Sequence, residues 1–261
     1  SPEENPMRTQ NNLSIISLAS EKISPIVLIG NVEVDQFFEN QSGDGLSWET
    51  AYRLEDKQIL GESDVKGGIF IQHSQRYLII DNCSIEMKFS TTDETGGIFI
   101  TNSTHVKIQN SYSEHYRNTI LIKNSQDITI KNCTAQEGRD DGIQVLDSED
   151  VLIEENYAHD NTWYGICVKF CTNITIRNNH AYNNLRYGIY TEDNVNQRIT
   201  GNLLEENQSY GIILLACNNS YVAENTYENN ALGAIKVLNG SGNEILDEEY
   251  EDPNENTNDN D

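Results

Sequence analysis

The chain has 261 residues, 36% of them hydrophobic, and sets 42 Asp plus Glu against 17 Lys plus Arg for a formal net charge of -25. So acidic a surface repels phosphate backbones, which excludes nucleic acid as a partner, and the lean apolar fraction leaves few side chains for a core. The longest apolar runs, around Pro25 to Gly30 and Gly211 to Ala216, are strand-sized, far below the ~18 residues of a membrane-spanning helix.

Residues 1–20 read as a flexible leader. They lack the charged start and apolar stretch of a secretory signal, so the expectation is that any signal has been removed. Residues 21–66 read as an N-terminal cap and first strand. Within them Ser24 to Ile29 is a strand, Val32 to Glu39 a short amphipathic turn or helix, Gly43 to Trp48 a turn-rich loop, and Ala51 to Ile59 a further strand. A cap is needed because an open solenoid end leaves backbone groups unpaired.

From residue 67 to 246 the chain repeats. Asp141-Gly142-Ile143-Gln144-Val145 returns as Tyr164-Gly165-Ile166-Cys167-Val168, Tyr187-Gly188-Ile189-Tyr190-Thr191, Tyr210-Gly211-Ile212-Ile213-Leu214 and Gly233-Ala234-Ile235-Lys236-Val237, each 23 residues after the last. Thr119-Ile120-Leu121-Ile122, Gly97-Ile98-Phe99-Ile100 and Gly68-Ile69-Phe70-Ile71 continue the series backwards, so eight coils are visible. Other columns keep the phase. One runs Ser74, Ser103, Ser125, Ser148, Cys171, Asn194, Cys217; another is the aliphatic ladder Ile108, Ile130, Ile153, Ile176, Ile199, Val222; a third is the ladder Asn156, Asn179, Asn202, Asn225. Within a coil apolar residues alternate, as in Ile128-Thr129-Ile130, which is the period of a strand. Short strands, Asn-rich turns and coils of 22–23 residues predict an all-β, right-handed parallel β-helix, each coil bonded to the next at ~4.8 Å. Residues 247–261, with eight acidic residues and no basic one, read as a disordered acidic tail.

Five cysteines are an odd number, and Cys83 with Cys133, like Cys171 with Cys217, sit two coils apart. Two coils are ~9.6 Å, beyond disulfide reach, so no disulfide is expected. Cys167 phases outward. With no CxxC, no HxxxH and scattered histidines, no metal site and no cofactor are expected. Calcium stays a candidate ion on so acidic a surface.

The repeat G-I-x-I-x-N-S-x-x-I-x-I-x-N-N resembles that of NosD-like proteins, the class of carbohydrate-binding and sugar-hydrolase domains, from Gly68 to about Asp247. The stretch Ser24-Pro25-Ile26-Val27-Leu28-Ile29-Gly30-Asn31, followed by Gly43-Asp44-Gly45-Leu46-Ser47-Trp48, is similar to the cap of archaeal surface proteins, including Asgard lineages. The resemblance implies an extracellular or cell-surface location and a glycan or polysaccharide partner. By resemblance to mannuronan epimerases and alginate lyases, the ligand would lie along the outer face of the Gly-Ile sheet. Side chains just before the Gly, and two and four after it, would then face solvent. These are Asp141, Tyr164, Tyr187 and Tyr210; Gln144, Cys167 and Tyr190; and Lys169 and Glu192, flanked by Trp163 and Arg186. Aromatic faces stack on sugar C–H groups, which makes Tyr164, Tyr187, Tyr210, Trp163, Arg186, Asp141, Gln144 and Glu192 the candidate ligand-binding set. Stacked tyrosines would also pack on one another in any β-helix.

For catalysis Lys169 with Tyr187 or Tyr190 would serve as base and proton donor, and Arg186 would neutralise a uronate. The epimerase signature Tyr-Gly-Phe-Asp-Pro-His-Glu is met by Tyr164-Gly165-Ile166-Cys167-Val168-Lys169 only in its Tyr-Gly. His159 of Ala158-His159-Asp160-Asn161 is similar to a turn of those enzymes and reads as a surface turn histidine. Three functions remain: glycan binding along the sheet, a structural or assembly role with self-association through the coil ends, and a polysaccharide lyase, epimerase or hydrolase.

Overall fold

A computed structural model describes residues 22–62, 65–87 and 95–247. The leader at 1–20 and the tail from 248 onward lie outside the described residues. The described chain is a parallel β-helix of three sheets with nine, nine and eight strands, every pairing parallel. Each coil visits the sheets in turn. One coil runs Asn118–Lys123, Gln126–Lys131 and Thr134–Gln136; the next runs Ile143–Leu146, Glu149–Glu154 and Tyr157–His159.

The corners explain the Asn and Asp content. In the coil beginning at Asn118, the bends are made by Asn124, Asp127, Asn132 and Glu137, all with φ between 48° and 54°. Asn and Asp tolerate this left-handed conformation best among residues with a side chain. Phe170, at φ 57° and 52% exposed, occupies the same corner as Asn124 and Asp147.

The interior is a column of aliphatics in register, Ile120, Ile143, Ile166, Ile189, Ile212 and Ile235 among them, nearly all without exposure. Burying each such side chain contributes about 2 kcal/mol. Polar ladders close the corners. The Ser column is real: Ser103 N–H donates to Ser125 Oγ (3.2 Å), Ser125 N–H to Ser148 Oγ (3.1 Å), and Cys171 N–H to Asn194 Oδ1 (2.8 Å). Along the expected Asn ladder, Asn156 N–H donates to Asn179 (3.0 Å) and Asn179 N–H to Asn202 (2.9 Å). Asp247, read as the first tail residue, instead ends this ladder, accepting from Asn225 N–H at 3.1 Å.

A second ladder, Asn161, Asn184, Asn207 and Asn230, joins successive coils with N–H to Oδ1 bonds of 3.2 Å. It accounts for the Gly column. A Cβ at Gly165 would stand 2.8 Å from Asn184 Nδ2 and 2.8 Å from the Gly188 carbonyl, so only glycine lets the ladder lie against the strand.

At the N-terminal end, the helix Gly30–Phe37 covers the first coil. Val34 and Phe38 are buried, Phe38 stacks on Tyr52 at 5.0 Å, and Asp35 takes a two-pronged ion pair from Arg76. The strand expected over Ala51 to Ile59 is two strands, Tyr52–Glu55 and Gln58–Gly61. Asp56, at φ 56°, turns the chain between sheets there. All five cysteines are free and buried, Cys167 among them although its phase is outward.

Candidate functional site

On the outer face of the first sheet, four consecutive coils place Gln144, Cys167, Tyr190 and Ile213 in one row and Leu146, Lys169, Glu192 and Leu215 in the next. Tyr164 and Tyr187 from the preceding corner, and Tyr210 from the start of its strand, pack with Cys167, Tyr190, Ile213 and Leu215 as a small apolar cluster of their own. The tyrosine rings are nearly parallel: Tyr164 and Tyr190 at 4.7 Å and 10°, Tyr164 and Tyr187 at 5.3 Å and 16°.

This corrects the expected exposure. Tyr164, Tyr190, Cys167 and Asp141 do not face solvent; they are 7%, 9%, 0% and 0% exposed. The physical cause is the ~4.8 Å coil spacing, which suits ring stacking, so aromatic residues one coil apart cover each other and whatever lies below. The stacked tyrosine faces meet one another. Trp163 remains 38% exposed, with the Arg186 guanidinium 5.0 Å from its ring centre. Tyr210 is half-buried and has Lys236 Nζ 5.3 Å from its ring.

The polar members of the expected set come together around this stack. Lys169 Nζ is 3.0 Å from Glu192 Oε2 and 4.8 Å from the Tyr190 ring centre. Tyr190 hydroxyl donates to Glu192 at 3.1 Å. Asp141 lies beneath, accepting from Gln144 Nε2 at 2.6 Å and from Tyr164 N–H at 3.3 Å. Burial pushes the Asp141 carboxyl up to about 6 despite these donors. Burial first, then the Asp141 charge, raises the Cys167 thiol well above its usual range, which leaves it neutral and unreactive. The Tyr164 and Tyr190 phenols are likewise raised, chiefly by burial, and act as neutral donors. The arrangement offers hydroxyls, an amide, an ion pair and one carboxyl that titrates near neutrality.

Three features were not anticipated from the sequence. His159 is not a turn residue but ends the strand Tyr157–His159, because the bend is taken up by Asp160 at φ 56°. Its ring stacks on Tyr182 at 4.5 Å and 11°, beside His180, which pairs with Glu205 at 3.0 Å; these share one face of the third sheet. A shallow polar groove of about 640 Å³ follows the bend between the first and second sheets, with Asn102, Asn124, Asp147, Glu149 and Phe170 among its lining. Glu114, His115 and Glu137 gather at another corner. None of the three is visible as a contiguous motif, since each draws on residues one coil apart.

The sequence matches the family described as "Right handed beta helix region" over residues 62–143 and 96–248. The chain belongs to the right-handed β-helix family. No curated protein matches it. Among solved structures it is similar to the periplasmic alginate epimerase AlgG, with 14% identity, a TM-score of 0.56, and coverage of 75% of this chain and 50% of that one. It is also similar to the A-module of the Azotobacter vinelandii mannuronan C-5 epimerase AlgE4, at 13% identity and a TM-score of 0.57, over 76% and 58% of the two chains. A third is DFA-IIIase from Arthrobacter chlorophenolicus A6 without its lid, in complex with GF2, at 12% identity and a TM-score of 0.57, over 80% and 59%. At these identities the likeness is one of fold. The chain spans 50% and 58% of the length of the two epimerases. Among the described residues, no helix is long and apolar enough to cross a membrane.

Proposed function

We propose that this right-handed β-helix is an extracellular or cell-surface protein that binds a glycan along the outer face of its first sheet, between Asp141 and Leu215. The observation that carries the reading is the convergence of Gln144, Tyr164, Lys169, Tyr187, Tyr190 and Glu192 on one face, beside the Trp163–Arg186 pair. Stacked rings give this face a rigid base, and its hydroxyls, amide and ion pair match the donors and acceptors of a sugar. The half-exposed Trp163 supplies the aromatic surface that the tyrosines spend on each other. Carbohydrate-acting proteins among the structural neighbours support the substrate class, and the periplasmic one supports a location outside the cytoplasm. Binding to a panel of neutral and acidic polysaccharides, with and without calcium, tests it: saturable binding that Tyr187→Ala removes is the expected result.

Asp141 favours a second reading, a polysaccharide lyase, epimerase or hydrolase. Its carboxyl is raised to about 6 but has no exposed surface, so it would act through Gln144, which donates to it, while Lys169 with Tyr187 or Tyr190, in the same patch, would meet the substrate as base and proton donor. Product assays on any glycan that binds separate the two readings. A spacer role through the coil ends draws support from exposed apolar side chains near both ends of the described residues, Val32 and Phe37 at one and Leu232, Leu238 and Leu246 at the other.

A further inference from the structure

We propose that Glu114, His115 and Glu137 form a binding site for a divalent transition-metal cation of the zinc or manganese class, at the corner where the third sheet returns to the first. The proposal stands apart from the glycan reading and uses none of its residues. Glu114 ends the strand Tyr112–Glu114, and His115 follows it in the left-handed conformation at φ 63°. Glu137 follows the strand Thr134–Gln136 at φ 53°, at the same corner one coil later. The solenoid repeat thus superposes an imidazole and a carboxylate that are 22 residues apart.

One donor atom from each of the three residues lies within 4.8 Å of the other two. His115 Nε2 is 2.7 Å from Glu137 Oε2, and His115 Nδ1 is 3.6 Å from Glu114 Oε1. The last distance exceeds hydrogen-bond length, yet Glu114 is only 9% exposed. Its other oxygen, Oε2, accepts from the Tyr112 hydroxyl and from Gln136 Nε2 at 3.1 Å. A buried carboxylate is therefore oriented by two outer partners and turns its second oxygen towards Nδ1, as supporting residues present a metal ligand, while Glu137 stands at the other ring nitrogen. A cation bound at one nitrogen draws the exposed His115 and Glu137 side chains round to share it with Glu114. Glu86 stands opposite Glu114 in the sheet register. Like charges facing across strands destabilise a sheet; Lys22 offsets Glu86, and a cation at the trio would offset Glu114 and Glu137. An imidazole with two carboxylates suits zinc or manganese, whereas calcium takes six to eight oxygens and would gain little here. The corner continues through Arg139 and Asp140 into Asp141, so a bound ion would also brace the edge of the patch.

The test is isothermal titration with zinc chloride, followed by thermal melts with zinc, manganese or calcium, on the whole chain. His115→Asn keeps a residue that suits the left-handed corner, Glu137→Gln keeps the shape, and His105→Asn serves as a control on another histidine. Both test residues are exposed, so the variants should fold, with circular dichroism as the check. The expected result is one zinc ion per chain, a raised melting temperature, affinity lowered by about tenfold or more in both test variants, and no change in the control. Absence of zinc binding, binding that survives both variants, or equal stabilisation by calcium overturns the proposal.

Discussion

Gln144 Nε2 donates to Asp141 Oδ2 at 2.6 Å, which ties a carboxyl with no exposed surface to a half-exposed amide on the outer face of the first sheet. Burial raises that carboxyl from 3.8 to about 6. Between those values the folded chain holds a proton that the unfolded chain releases, so the stability associated with neutral Asp141 is complete below about pH 4 and is lost as pH rises through about 6. Asp141→Asn stays neutral throughout. Relative to the variant, the wild-type protein should lose about 2 kcal/mol between pH 4 and pH 7, read from urea midpoints across that interval. A stability difference that does not change with pH contradicts the burial of an ionisable carboxyl there.

Tyr164 roofs Cys167. Removing the ring in Tyr164→Ala should cost about 3 kcal/mol and expose one thiol. All five cysteines are buried, so the native protein should resist a thiol reagent such as Ellman's, while the variant should titrate a single cysteine that vanishes in Tyr164→Ala/Cys167→Ser. Equal protection in the two proteins would mean that the tyrosine stack is not what covers the sheet.

How much of this was legible beforehand depends on distance along the coil. Ile143, Ile166 and Ile189 announce their burial by alternation within a strand and by repetition across coils, so the solenoid, its ladder Asn156 to Asn225 and the unpaired cysteines followed. The second ladder from Asn161 to Asn230 was hidden among turn residues, where asparagine is expected anyway. The exposure of Asp141 and Tyr164 was misjudged because strand alternation tells inner face from outer but not whether a ring from the neighbouring coil covers the outer one. The trio at Glu114 escaped for the same reason: its members meet only across coils.

Asn179 tests the ladder. It accepts from Asn156 N–H and from Asn156 Nδ2, and its own Nδ2 donates to the Ile153 carbonyl. Asn179→Ala leaves these buried groups without partners and should cost about 2–4 kcal/mol. Asn225→Ala, at the partly buried end of the ladder, should cost less. Chemical denaturation of the pair checks the order, and equal losses would argue against a load shared along the ladder.

Phe170 offers a gain. It holds φ 57° with its ring half exposed, at a corner where other coils use Asn124 and Asp147. Phe170→Asn relieves the left-handed strain and should raise stability by about 0.5–1 kcal/mol, measured by thermal melting. A loss instead would show that the ring earns its place by packing along the groove.

The central claim is that the outer face from Asp141 to Leu215 binds a glycan. The most direct measurement is calorimetric titration of the wild-type protein with whichever polysaccharide a panel identifies, run beside Tyr187→Ala and Phe170→Asn, the latter lying outside the patch. The account predicts saturable binding that Tyr187→Ala abolishes and Phe170→Asn preserves. Binding that is indifferent to Tyr187, or no binding across neutral and acidic polysaccharides with or without calcium, would contradict it.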